Sequence, residues 1–396
     1  MTDKTLPQIR LQKSRQRRVR AGHPWVFSNE VDMTPEAKAL TPGTVVAFVD
    51  AGAEVMGSGF FNPHSLIAGR IVSRKGAAVD SALLEERLRS ALALRQRLYA
   101  EPYYRLVHSE ADGLPGLIVD RYNDFLVVQI NAAGMELLWD ELHSALQTVL
   151  APSAILLKNE GPSRTLEGLK EELRWVGDEP ASPQILREGG VEFRLDMSGG
   201  QKTGWFFDQA ANRALVASLS SGARVLDLYS YLGGFGLEAA QAGAASVTLV
   251  DRSEPALELT AQSAAANGLD GRCSFRRGNV FVETEKLATE NALFDIVIAD
   301  PPAFVKSRRD LKTGSRGYRK LARLSAALVA PGGLLFSASC SHHMPVDEFA
   351  EQIRRGIADA GRQGRILYST GAGPDHPVHP HLPESAYLKC LLLQLD

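Results

Sequence analysis

Four acids or amides and one cysteine stand where apolar runs of this chain give out. Asp227 closes the run in "VLDLYSYLGGFG", which continues into Gly233 and Gly234. Asp251 follows "SVTLV", 24 residues further on; Asn279 ends "RRGN"; Asp300 ends "IVIAD" and is followed by Pro301 and Pro302. Cys340 ends "LLFSASC", between Ser339 and Ser341, with His342 and His343 behind it. Carboxylates so placed suit amino groups and sugar hydroxyls, whereas a carboxylate before the glycines would repel a pyrophosphate. Glycine lets a backbone approach a ligand without a Cβ in the way, but the G-x-G-x-x-G spacing of a dinucleotide fingerprint is absent. An acid about 20 residues after the glycine strand is where nucleoside-binding folds engage ribose hydroxyls. Taken singly, each acid fits a helix N-cap equally well; in register on consecutive strands they point to one site. Asn279 suits either an adenine edge or a turn. Two prolines remove backbone donors and stiffen the exit that carries Asp300. The Cys340 thiol is suited to nucleophilic work if its surroundings favour thiolate. Cys273 and Cys390 lie inside strand-like runs and read as space-fillers, and the histidine pair reads as surface rather than metal site.

The elements that must position these residues begin near Asp208. "RVLDLYS", "SVTLVDRS", "CSFRRGN", "FDIVIADPP" and "LLFSASC" read as strands, alternating with helices over "GFGLEAAQAG", "PALELTAQSAAANG", "VETEKLATE", "RKLARLSAALVAPGG" and "VDEFAEQIRRGIADAG". "RILYST" and "AYLKCLLLQL" close the series. Repeated βα units predict an open, mostly parallel sheet with helices on both faces, whose ligands bind outside the carboxyl ends of the strands. Upstream, "YRLVHSEADGLPGLIVDRYNDFLVVQI" predicts strands with Gly- and Asp-containing turns, "MELLWDELHSALQTVL" one helix, and "AILLK" a strand. "NEGPSRTLEGLKEELRWVGDEP" is charged, poor in aliphatics and reads as a surface excursion. "GVEFRLDMSGGQKTGWFFDQ" reads as a hairpin with "SGG" at its turn. Before these, residues 24–72 show short β-like runs with Gly and Asn at the breaks, a small all-β barrel, and "SALLEERLRSALALRQRLYA" is an amphipathic helix.

The 396 residues exceed one ordinary domain. Hydrophobic and charged contents of 44% and 23% are those of a soluble globular protein. No apolar run reaches a membrane span, and three scattered cysteines form neither a disulfide framework nor a paired-ligand zinc site, which suits a reducing cytoplasm. Net charge is only −2, but the first twenty residues hold Lys4, Arg10, Lys13, Arg15, Arg17, Arg18 and Arg20 against one acid, Asp3. Such a cluster is a footprint for nucleic-acid phosphate. Val19, Trp25, Val26, Phe27 and Val31 need a core, which argues for an RNA-facing domain rather than a tail.

Together the strand-end residues resemble the ordered motifs of class I S-adenosylmethionine-dependent methyltransferases. The whole chain resembles the bacterial 23S rRNA cytosine-C5 methyltransferases with an N-terminal PUA domain. "RLQKSRQRRVRAGHPWVFSNEV" matches the start of that PUA domain, "GGQKTGWFFDQ" the entry to the catalytic domain and "DHPVHPHLPESAYLK" the C-terminal segment. The resemblance implies an α/β fold: a Rossmann-like class I methyltransferase sheet (199–396) after a small β-barrel PUA domain (1–75) and a small α+β middle domain (76–198). It implies S-adenosylmethionine as cofactor, with its methionine end over Gly233 and Gly234, its ribose on Asp251 and its adenine by Asn279, where many relatives carry Asp. Asp227 and Asp300 complete that rim. It implies 23S rRNA or its assembly precursor as partner, a cytoplasmic location, and no membrane; a homodimer is compatible with it. The implied reaction methylates cytosine C5 through a covalent Cys340 adduct at C6, with Asp300 on the N3/N4 edge of the base. Where another branch of cytosine-C5 enzymes has a second cysteine after the fourth strand, this chain has Pro302. Arg17, Arg18, Lys202, Phe304 and Lys306 are the RNA contacts expected, Phe304 by stacking on an extruded base, with Arg308 and Arg309 beside Lys306. The alternatives are a uracil-C5 RNA methyltransferase, whose frequent iron–sulfur cysteine cluster three scattered cysteines cannot supply, and an RNA-binding protein that has lost activity. A dehydrogenase is more distant, because the glycine spacing is wrong.

Overall fold

The computed structural model describes residues 6–197 and 204–396. Lys4, Lys202 and the "SGG" turn expected at 198–200 lie outside them. The chain forms two units: Met1–Pro180 with Pro374–Pro383, and Ala181–Gly373 with Glu384–Asp396. The later unit thus begins before residue 199, and ten residues of the C-terminal segment belong to the earlier one.

The first unit opens with β1 (Gln8–Arg10), α1 (Arg17–Arg20), β2 (Trp25–Val26), α2 (Pro35–Lys38), β3 (Thr44–Val49), β4 (Val55–Phe61) and β5 (Gly69–Ser73). The strands order β1-β3-β4-β5-β2 around a core of Val19, Val26, Phe48 and Phe61. Helix α3 (Ser81–Leu98) follows, started by Asp80, whose carboxylate accepts the Leu83 N–H. It buries Leu84, Leu88, Ala91 and Arg95, one stripe at helical spacing. Then come β6 (Tyr103–His108), β7 (Leu117–Tyr122), β8 (Phe125–Ile130), α4 (Ala133–Leu137), α5 (Trp139–Leu150), β9 (Ala154–Asn159), α6 (Pro162–Glu167) and β10 (Glu172–Gly177). They make a sheet of order β10-β9-β8-β7-β6. Only β8–β9 in this sheet is parallel, and α4–α5 supply the crossover such a pair needs. The single helix expected here is two, divided at Leu138.

The stretch read as a surface excursion is structural. β10 pairs along its whole length with β9. Within α6, Arg164 and Glu167 are 1% and 5% exposed. Arg164 donates to both oxygens of Glu136 (2.9 and 3.2 Å), and Glu167 accepts from Arg70 at 3.1 Å and Asn62 at 3.1 Å. Charge here is paired inside the fold, so a polar composition did not mean solvent.

The second unit begins with a hairpin, β11 (Gln184–Glu188) and β12 (Val191–Leu195), joined by Gly189 and Gly190 at φ 58° and 77°. Paired positive φ values suit a two-residue hairpin loop, so the turn lies ahead of the expected "SGG". There follow α7 (Ala210–Ala217), β13 (Arg224–Leu228), α8 (Gly234–Gln241), β14 (Ser246–Asp251), α9 (Glu254–Ala266), β15 (Cys273–Arg277), α10 (Val280–Thr289), β16 (Phe294–Ala299), α11 (Leu311–Leu328), β17 (Val329–Ser339), α12 (Val346–Asp359), β18 (Gly364–Thr370) and β19 (Lys389–Leu395). The sheet order is β15-β14-β13-β16-β17-β19-β18, parallel except for β19. Its central strands are apolar runs buried on both faces, as parallel strands require. Helix α11 starts eight residues before the expected Arg319 and stops at Leu328 rather than at the glycines. Pro331 forbids helical continuation, while Gly314 and Gly317 mask the helix start. No helix among the described residues is long and apolar enough to cross a membrane.

Candidate active site

β13 is bonded to β14 on one side and β16 on the other, so the chain order reverses there. Open α/β sheets leave a ligand crevice at that point, outside the carboxyl ends of the strands. Asp227 lies in β13, is 1% exposed, and accepts the Gly236 N–H at 2.9 Å. Burial pushes its carboxyl up to about 8; the Gly236 hydrogen bond opposes this, and the Asp300 and Asp251 carboxylates add to it. It is therefore largely protonated at neutral pH, and a cation beside it would favour the carboxylate.

Asp251, at the end of β14, accepts the Tyr231 N–H through Oδ2 at 2.9 Å and the Ser253 N–H through Oδ1 at 2.8 Å. It ties the β13–α8 loop to the start of α9. In that loop Tyr229 and Tyr231 hold φ of 63° and 49°, a conformation bulky residues keep only when their surroundings impose it. The glycines serve close packing. A Cβ on Gly233, at φ 76°, would collide with Thr260; one on Gly234 would lie 2.9 Å from Arg213 Cδ. Their missing side chains thus face α9 and α7, and what they secure is the position of the loop. Asn279 is exposed and caps α10, its Oδ1 accepting the Phe281 N–H at 3.0 Å. Asp300 is half-buried at the exit of β16, with Pro301 buried behind it.

Cys340 follows β17 directly and is half-buried, while Cys390 is buried in β19 and Cys273 is half-buried in β15. Its neighbours are fixed on both sides. The Ser339 hydroxyl donates to Tyr318 Oη at 2.8 Å, and the Ser341 hydroxyl lies 2.9 Å from the same oxygen. Ser341 Oγ also accepts the Val305 N–H at 3.1 Å, which joins this turn to the loop after Asp300. Lys389 Nζ donates to Ser341 O at 2.6 Å and Met344 O at 2.9 Å. His342 is exposed and stacks on Tyr387 with centroids 4.9 Å apart.

Phe304 is half-buried and packs on Tyr318 at 4.8 Å, with Phe281 and Tyr229 beyond. Gly317 leaves room for its ring, since a Cβ there would lie 3.0 Å from Phe304 Cδ2. Lys306 is exposed. Arg308 and Arg309 stand in a 3-10 turn entered through a Ser307–Asp310 capping box. In the first unit Arg17 is exposed, whereas Arg18 is committed to Glu30 at 2.7 Å and lies over the Phe27 ring at 4.3 Å. Arg20 is likewise paired with Asp50.

The sequence reading missed four groups. Arg213 is 3% exposed, paired with Glu188 at 2.5 Å and Glu238 at 3.2 Å, and its Nη2 has no hydrogen-bond partner among the described residues. Ser230 Oγ, in the β13–α8 loop, is buried and equally without one. Tyr318 and Lys389 are the clamps around Cys340. Lys389 alone carried a signal, a charge at the head of the apolar run "KCLLLQL".

Residues 169–393, more than half of the chain, match the S-adenosylmethionine-dependent methyltransferase family, and residues 9–74 match the PUA-like domain family. Over 395 residues the chain is 35% identical to Ribosomal RNA large subunit methyltransferase I of Klebsiella pneumoniae, covering 98% of each. The chain belongs to that methyltransferase family. This methyltransferase is also 36% identical, over 392 residues and 98% of each chain, to the relative of the same name in Aeromonas salmonicida. Its fold superposes on a methyltransferase solved in complex with SAH (TM-score 0.83, 21% identity, 98% of this chain and 100% of the other). A SAM-dependent methyltransferase from Streptococcus mutans matches similarly (TM-score 0.81, 21% identity, 98% and 100%). The cofactor of this methyltransferase is S-adenosylmethionine. The residues fit such a group: a buried acid with a raised pKa for a cation, and two buried polar atoms without hydrogen-bond partners among the described residues, Ser230 Oγ and Arg213 Nη2.

Proposed function

We propose that this methyltransferase methylates C5 of a cytosine in 23S rRNA through a covalent adduct between Cys340 and C6 of the base. The observation that carries the reading is Cys340 held at the end of β17, in the sheet whose other strand ends present Asp227, Asp251 and Asp300. Asp251 takes the cofactor's ribose, Asp227 faces its cationic end, the Gly233–Gly234 turn underlies its methionine portion, and Asn279 lies by its adenine. When bound, S-adenosylmethionine supplies an electrophilic methyl group. Cytosine C5 is too weak a nucleophile unaided. The Cys340 thiolate forms a C–S bond at C6, and the displaced electron pair makes C5 enamine-like. Asp300 hydrogen-bonds the N3/N4 edge and favours protonation of N3 as negative charge develops there. After C5 is methylated, loss of its proton to a base expels the thiolate and restores the aromatic ring. Residues 1–75 grip RNA phosphate, with Arg17 exposed to it and Arg18 held by Glu30 as its support. Within 199–396, the span expected for the catalytic domain, Lys202 and Lys306 take phosphate. Phe304 shapes the wall on which the extruded base stacks.

RNA carrying 5-fluorocytosine tests the reading, because fluorine at C5 cannot leave as a proton does. Wild-type protein should form a covalent complex with it, visible as a mass increment on the Cys340 peptide. Cys340→Ser should abolish trapping and methyl transfer while keeping cofactor affinity. Methyl transfer near the wild-type rate in Cys340→Ser would remove the covalent route and favour an exocyclic nitrogen as target.

A further inference from the structure

We infer that Lys389 is a positioning residue for Cys340: its ammonium group fixes the turn that carries the thiol and stabilises the thiolate formed there. The inference rests on the nucleophile reading of Cys340. Lys389 is 6% exposed at the head of β19, where a buried ammonium is costly unless hydrogen-bonded. Lys389 and Ser339 are partners across the β17–β19 ladder, so Lys389 stands opposite the residue before Cys340. Its Nζ reaches the carbonyl of the residue after it, Ser341, at 2.6 Å, and that of Met344 at 2.9 Å. Tyr318 bridges Ser339 and Ser341 from α11. The turn that carries the thiol is thus held from β19, from α11 and from the loop after Asp300.

The charges facing this turn come from every element packed on it. β19 brings Lys389 and Cys390, and the Asp300 and Asp208 carboxylates act on Cys390; α11 brings Tyr318; the turn itself brings His342 and His343, and Tyr387, whose hydroxyl donates to Asp208 at 2.6 Å, stacks on His342. Burial pushes Tyr318 and Cys390 up, so both stay neutral near pH 7. Asp300 opposes a second negative charge nearby. The ammonium of Lys389 is the buried cation of this set. Burial pulls Lys389 down from its usual value, and the Cys340 sulfur, as thiolate, pushes it back up; this interaction is mutual. A purely mechanical anchor would need the hydrogen bonds but not the charge.

Gln separates the two roles, because its amide can donate to a carbonyl without being charged. Alkylation of Cys340 by iodoacetamide, followed on its peptide by mass spectrometry from about pH 6 to 10, reads the thiolate fraction without RNA. In the full-length protein, Lys389→Gln and Lys389→Met should raise the midpoint by about one pH unit and slow alkylation at pH 7 about tenfold. Lys389→Arg should stay near the wild-type midpoint. A wild-type midpoint in Lys389→Gln that still binds S-adenosylmethionine would overturn the inference and leave Lys389 a loop anchor. If Lys389→Met fails to fold, the Gln and Arg variants decide. Failure of wild-type protein to trap 5-fluorocytosine RNA, with the midpoint shift intact, would sink the nucleophile reading and leave the Lys389–Cys340 coupling standing.

Discussion

Glu110 in the first unit and Asp227 in the second are both buried carboxyls, yet they move in opposite directions. Burial pushes Glu110 up, but Arg70 at 2.7 Å, with the Ser109 hydroxyl and the Trp25 indole, holds it below its usual value. Asp227 receives one backbone N–H, shares its surroundings with two further carboxylates, and is driven up to about 8. Arg95 with Asp112 (2.6 and 2.8 Å) and Arg105 with Asp120 (2.8 and 3.0 Å) are further guanidinium–carboxylate pairs in the same unit. Paired charge in the first unit holds the fold together. Clustered acid in the second is a cost that a cationic ligand would relieve, and such perturbed groups concentrate at functional sites.

The comparison breaks most visibly at Arg70. Arg70→Met strips the cation from Glu110 and Glu167 together and should cost about 3–5 kcal/mol at neutral pH. Without Arg70, burial drives the folded-state pKa of Glu110 above its unfolded value. The deficit should therefore be smallest at acid pH and grow as pH rises through the unfolded range near 4. Urea denaturation at about pH 4 and pH 8 measures this; a deficit independent of pH would mean the loss is packing alone.

Asp251→Ala removes a carboxylate that orders the loop and, on our reading, holds the ribose. Cofactor affinity by calorimetry should weaken by about 1–3 kcal/mol, and unchanged affinity would take Asp251 out of the site. Asp227→Asn sharpens the contrast by imitating the protonated acid. Burial pushes the folded-state pKa of Asp227 up to about 8, against roughly 4 for an aspartate in the unfolded chain. Between those values the folded state keeps a proton that the unfolded chain has lost, so its contribution to stability falls as pH rises. The ligand-free Asn variant should therefore gain on wild type from pH 4 to pH 8 while binding cofactor more weakly; parallel stability profiles would show that Asp227 is not perturbed. The smallest effect belongs to the N-terminal cluster. Arg17→Ala should lower the salt slope of RNA binding by about one. Arg18→Ala, because Arg18 is tied to Glu30, should act mainly on stability, and an equal change in slope would show that its ion pair opens on RNA.

The alternation after Asp208 was legible because buried parallel strands must be apolar along their whole length, and each acid or thiol that ends one stands out. The 160–180 segment was not legible. Its charges are satisfied by Arg70, Glu136 and Asn62, residues distant in sequence, so composition alone suggested solvent. Gly314 and Gly317 hid the start of α11 for a related reason: poor helix formers are kept there because the chain around Phe304 needs the space. Asn279, read between a ligand and a turn, caps a helix.

By itself the amino-acid sequence determined which residues end the central strands, and therefore that Asp227, Asp251, Asp300 and Cys340 share one rim. Periodicity and the βα order carry that information locally. Tertiary structure alone decided their chemical states. Whether a buried acid is held down like Glu110 or pushed up like Asp227 depends on which charges distant segments bring within a few ångströms. That Cys340 is clamped by Tyr318 and Lys389 depends on a helix and a strand that meet it only in the folded sheet.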